Sequence, residues 1–185
     1  ITYNEFKNTN GAILIDGTAS AGDLDNLVVS NNKFYSTNTY ALLISSTTPN
    51  GLVNNDWTSD VQFTNNYIEI PASSQIVVGF QNPSASTVYS EEITATCNWW
   101  NASGSPTGPT YAFNPGGTGA RVSDQVLFTP WLSSNANSAT FGFTPTGACN
   151  QGIRVWVNTT GNPATQTIVF PGLQMALNHP TVKNA

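Results

Sequence analysis

An asparagine followed two places later by a large apolar residue recurs four times early in this chain: Asn4 with Phe6, Asn32 with Phe34, Asn66 with Ile68, and Asn98 with Trp100. The intervals between the asparagines are 28, 34 and 32 residues. A second apolar run follows each of the first three, at Ile13, Leu14 and Ile15, at Leu42, Leu43 and Ile44, and at Ile76, Val77 and Val78. A third, weaker run precedes the next asparagine, as in Leu27, Val28 and Val29. Three short strands per unit, joined by Asn, Gly and Ser turns at a period near thirty, are what a β-solenoid requires.

Such a unit has one apolar face and cannot bury it alone. Stacking units about 4.8 Å apart puts each strand in register with its equivalents above and below. An asparagine at a fixed place serves this stack in two ways. It tolerates the left-handed backbone of a tight bend, and its carboxamide can bond to the asparagine of the next unit. A β-sandwich of hairpins would want turn signals every roughly 8–12 residues and gives no reason for recurrence near thirty.

Charged residues make up only 8% of the chain, against roughly 25% in an ordinary soluble domain. Five Trp, six Tyr and nine Phe exclude the composition of a disordered segment. Five Lys and Arg in 185 residues, with a net charge of −5, make no basic footprint for nucleic acid or for an anionic membrane surface. No apolar run approaches the roughly 18 residues that span a bilayer. The mix of Asn, Thr, Ser and Gly fits an all-β protein at the cell surface or outside the cell. The chain opens inside the pattern at Ile1, which suggests an internal portion of something larger. Cys97 and Cys149 would close a loop of about 50 residues, worth about 4 kcal/mol if bonded; spacing alone leaves open whether they bond or remain buried thiols.

One segment carries a family resemblance. Asn98, Trp99, Trp100, Ser105, Pro106, Gly108 and Pro109, then Gly116, Gly117 and Gly119, and finally Phe128, Thr129, Pro130, Trp131 and Leu132, resemble the closing segment of bacterial right-handed parallel β-helix domains of the pectin-lyase-like kind. The resemblance covers residues 1 to about 132. It implies an all-β, right-handed parallel β-helix whose last units are plugged by Trp99, Trp100, Phe128 and Trp131. It implies little about activity, because lyases, hydrolases, tailspikes and adhesins share this fold. Beyond residue 132 the character changes. Residues 133–138 read as a linker, residues 152–157 and 166–170 as strands, and residues 171–178 as a short helix with Pro171 in its first turn. That helix resembles the cap that begins many such domains, so residues 133–185 are expected to lead towards a second β-helix.

The inventory for chemistry is thin. Asp23, Asp25 and Asn26 offer oxygen ligands of the kind Ca²⁺ takes, but an ordinary solvated turn explains the same residues. Asp56 and Asp60 flank Trp57, an arrangement that could bind sugar or supply paired carboxylates; plain surface residues look the same. His179 is the only histidine, so no His triad or multi-His metal site lies within this chain. No Gly-x-Ser-x-Gly elbow occurs.

The expectation is therefore a non-catalytic structural or adhesive β-helix module with no cofactor, Ca²⁺ being the one alternative. Its partners would be neighbouring units or domains of the same polypeptide, with glycans or other surface and secretion proteins as further candidates. The competing class is a carbohydrate-active or carbohydrate-binding β-helix, which would need acidic and basic side chains gathered on one outer face.

Overall fold

A computed structural model describes residues 1–17, 26–35, 39–46, 61–71, 75–81, 93–100, 108–111, 114, 116–123, 126–156 and 167–170. Among these the chain is all-β. It begins with β1 (Glu5–Phe6) and β2 (Ile13–Gly17). Two units follow, β3 (Leu27–Ser30), β4 (Lys33–Phe34) and β5 (Leu42–Ser46), then β6 (Val61–Thr64), β7 (Tyr67–Ile68) and β8 (Val78–Phe80). After them come β9 (Ile93–Thr94), β10 (Pro109–Thr110), β11 (Gly119–Arg121), β12 (Val126–Leu127) and β13 (Trp131–Leu132). The last strands are β14 (Cys149–Gln151), β15 (Ile153–Trp156) and β16 (Thr167–Phe170).

From β1 to β9 every third strand joins the same parallel sheet, β12 extends one of these sheets, and β10 and β11 pair with each other. The first sheet has the order β12-β9-β6-β3, the second β1-β4-β7, and the third β2-β5-β8. The pairing is in register with the sequence repeat. Leu27 faces Val61, and Ile93 faces Val126. Phe6 faces Phe34, which faces Ile68. Ile13 faces Leu42, which faces Val78.

Period-two alternation decides which side chains point inward. In β6, Val61 and Phe63 are buried while Gln62 and Thr64 are half-exposed. The apolar residue two places after each asparagine forms an inner column. Phe34, Ile68 and Trp100 are buried there, and Phe6 packs against the same core. The Phe6 and Phe34 rings stack with centroids 4.9 Å apart and planes 2° from parallel, within the range at which aromatic pairs add to area burial.

The bend between the first and second sheets corrects one expectation. The left-handed residue is not the repeated asparagine but the one before it, at Tyr3, Asn31, Asn65 and Cys97, with φ between 56° and 60°. The repeated asparagine follows the bend and turns its carboxamide along the stack.

The chain then departs from the repeat. β13 pairs antiparallel with β14, and β15 with β16, the two strands expected in that part of the sequence. Between β13 and β14, residues 133–148 form a hairpin arm, whose first side is the stretch 133–138 expected as a linker. Its rungs are Ser133 N–H to Ala148 O, Thr146 N–H to Ala136 O and Ser138 N–H to Thr144 O. The arm lies along the outer face of the second sheet. Near its base Leu132 N–H bonds to Asn98 O, and near its tip Phe143 N–H bonds to Asn31 O at 2.8 Å. The helix expected at residues 171–178 lies outside the described residues.

Candidate functional site

Two structural constellations organise this molecule, one internal and one on its flank. The internal one is the asparagine column. Asn32, Asn66 and Asn98 are fully buried, so each polar atom needs a partner. Oδ1 of Asn32 accepts from Asn4 N–H and Nδ2, Oδ1 of Asn66 from Asn32, and Oδ1 of Asn98 from Asn66, all between 2.8 and 3.1 Å. The Nδ2 groups also donate to backbone carbonyls, Asn66 to Val29 and Asn98 to Phe63 and Ala95. The next unit sits 33 residues further on by the β9–β12 register and places Trp131 where an asparagine would stand.

The four expected plugging aromatics divide between two cores. Trp100, Phe128 and Trp131 lie in the main core, inside the three sheets. Trp99 points the other way and packs with Leu132 and Phe143 in a second cluster under the hairpin arm, flanked by Tyr67 and Cys149. Cys97 and Cys149 are joined in a disulfide, which pins the base of that arm to the bend of the fourth unit.

The flank site is a cleft of about 210 Å³ between the arm and the outer face of the second sheet. Lys33 and Tyr67 occupy the outward position after their asparagines, and Tyr35 and Glu69 lie two residues further on. Asn135, Asn137 and Phe143 close the cleft from the arm. At its upper end Glu5 organises the charges. Lys7 approaches it at 2.7 Å and Lys33 at 3.8 Å, Tyr35 Oη donates to Glu5 Oε2 at 3.2 Å, and Lys7 sits 4.6 Å above the Tyr35 ring, within cation–π range.

The hydrogen bond from Lys7, against an opposing effect of burial, holds the Glu5 carboxyl below its ordinary value. The same bond raises the Lys7 ammonium. Burial pushes the Tyr35 phenol up. It does the same to Tyr67, helped by the nearby charge of Glu69 and opposed by a hydrogen bond with Asn135. Both phenols therefore keep their protons at neutral pH. Two carboxylates and two ammonium groups leave this surface polar but without net charge.

The candidate ligands expected from the sequence are different residues. Asp23, Asp25, Asp56, Trp57 and Asp60 lie outside the described residues. Asn26 is exposed and in the left-handed region with φ 56°. Among the described residues no group of three or more His, Cys, Asp or Glu is arranged to hold a metal ion, and no helix is long and apolar enough to cross a membrane. The cleft escaped because its walls come from residues about 100 apart. The usable signal was the outward position after each asparagine, occupied by Glu5, Lys33, Tyr67 and Trp99. No family model, curated protein or solved structure matches this chain.

Proposed function

We propose that the three parallel sheets are the faces of a right-handed parallel β-helix. On this reading the chain is a non-catalytic structural or adhesive module of a large extracellular or cell-surface protein. The observation that carries it is the asparagine column from Asn4 to Asn98, in register with three parallel sheets. A right-handed course is supported by the general rule that parallel crossover connections take that hand in about 98% of cases. Such a stack is continuous in backbone and carboxamide hydrogen bonds along one axis, which suits it to extending or presenting other domains. The Cys97–Cys149 disulfide supports an oxidising compartment outside the cytosol. Neighbouring units or domains of the same polypeptide are the natural partners.

A depolymerisation assay of the purified chain on acidic and neutral polysaccharides, with and without Ca²⁺, tests the non-catalytic reading. The expected result is no release of unsaturated or reducing ends. Release would overturn it and direct mutation to Asp23, Asp25, Asp56 and Asp60.

A further inference from the structure

The cleft on the second sheet is built from groups that a purely structural flank does not require. Its floor is the outer face of β4 and β7, and its far wall is the hairpin arm. At about 210 Å³ it is smaller than the roughly 300–1,000 Å³ that enclose a drug-sized ligand. It has room for a single ring of a longer chain. Its lining offers a carboxylate that only accepts, an ammonium that only donates, and carboxamides and phenols that do both. Among the described residues no basic side chain pairs with Glu69, whose carboxylate lines the cleft as an acceptor. The Tyr67 ring is only partly buried and meets Phe143 edge-on at 5.6 Å.

The chemistry narrows the ligand. Glu5 and Glu69 offset Lys7 and Lys33, so a phosphate backbone finds no electrostatic attraction here. An extended peptide would bind by adding to a free strand edge, but β4 is already paired on both sides, by β1 and β7. What remains is an uncharged molecule whose many hydroxyl groups both donate and accept, and whose ring presents C–H surface to an aromatic. We propose that this cleft binds one ring of a neutral glycan, with Glu69, Lys33 and Asn135 taking its hydroxyl groups and Tyr67 its apolar face. This goes beyond the structural role and does not depend on it.

Saturation-transfer NMR on the full chain tests the site, with neutral cello-, manno- and galacto-oligosaccharides as probes and oligogalacturonate as the charged comparison. Transfer to at least one neutral probe is expected. Glu69→Ala and Lys33→Ala should each weaken that binding about tenfold, the loss of one hydrogen bond to a charged group. Leu14→Ala, on the exposed outer face of the third sheet, should leave it unchanged. Unchanged urea midpoints would show that the variants fold. The proposal fails if no neutral probe receives transfer, if binding survives both cleft variants, or if oligogalacturonate binds more tightly than every neutral probe.

Discussion

Asn32 donates twice to a single oxygen of Asn66, from its backbone N–H at 2.9 Å and from Nδ2 at 3.1 Å. The same double contact joins Asn4 to Asn32 and Asn66 to Asn98. Each contact runs in one direction along the stack, with the earlier residue donating and the later one accepting. A buried carboxamide is costly unless every atom is satisfied. Asn4, Asn32 and Asn66 each draw an acceptor from the same side chain in the next unit, and Asn98, which is followed by Trp131, turns its Nδ2 to the Phe63 and Ala95 carbonyls instead. The column therefore favours one stacking register and penalises others, beyond what apolar burial does.

The first prediction follows from that dependence. Asn66→Ala removes the acceptor of the Asn32 N–H and the donor to Val29 O in buried surroundings, while Asn32 Nδ2 loses one of three acceptors and keeps the Ile1 and Ser30 carbonyls. Leaving such groups unsatisfied should cost about 3 kcal/mol or more. Asn4→Ala removes only an exposed rung and should cost about 1 kcal/mol or less. Urea unfolding with an unchanged slope separates the two. Equal losses would mean that the column has no special role.

The second prediction concerns the disulfide. Cys97 and Cys149 are 52 residues apart in sequence, and the chain-entropy model gives such a cross-link about 4 kcal/mol. Replacing both cysteines by serine, or adding reductant, should lower the urea midpoint correspondingly. The arm at residues 133–148 should also become a preferred site of limited proteolysis. A midpoint indifferent to reductant would contradict this.

The third prediction is a pH dependence. The folded state holds Glu5 below its ordinary value, chiefly through the hydrogen bond from Lys7. The unfolded chain therefore takes up this proton first as pH falls. The contribution of Glu5 is fully present above the unfolded glutamate value of about 4.3 and is lost as pH drops through the lower folded value. The stability difference between wild type and Glu5→Gln should be constant from neutral pH to about 5 and shrink below about 4. A difference that grows on acidification would reverse the assigned sign.

Much of the core was legible because stacking makes one position repeat its chemistry. The inner column of Phe6, Phe34, Ile68 and Trp100 could be read from spacing alone. The bend was harder. Asn31 and Asn65 stand immediately before Asn32 and Asn66, so adjacent asparagines concealed which one adopts the left-handed backbone. Tyr3 and Cys97 take that conformation in the other units, and neither residue type announces it. The disulfide was legible only as a possibility, since 52 residues of separation say nothing about distance in space. The arm was illegible for a different reason. Its one deeply buried aromatic, Phe143, packs on outward-facing Tyr67 and Trp99, so no local apolar period marks it.

The last prediction tests whether that arm is part of the folded body. Phe143 is completely buried and Phe141, two residues away, is 60% exposed. Both lie near the tip, where Gly142 takes a φ of +71° and packs on the backbone of Tyr3 and Asn31. If residues 133–148 were a tether, both phenylalanines would be dispensable. With the arm packed as described, Phe143→Ala leaves a cavity against Trp99 and Leu132 in the second cluster and should cost about 3 to 5 kcal/mol. Phe141→Ala should stay within about 0.5 kcal/mol of wild type. Gly142→Ala should cost about 1 to 3 kcal/mol, because an added Cβ meets backbone on the first two units at a φ that L residues avoid. Paired urea titrations of the three variants read these differences directly. Near-wild-type stability for Phe143→Ala would detach the arm from the stack and remove one wall of the cleft with it.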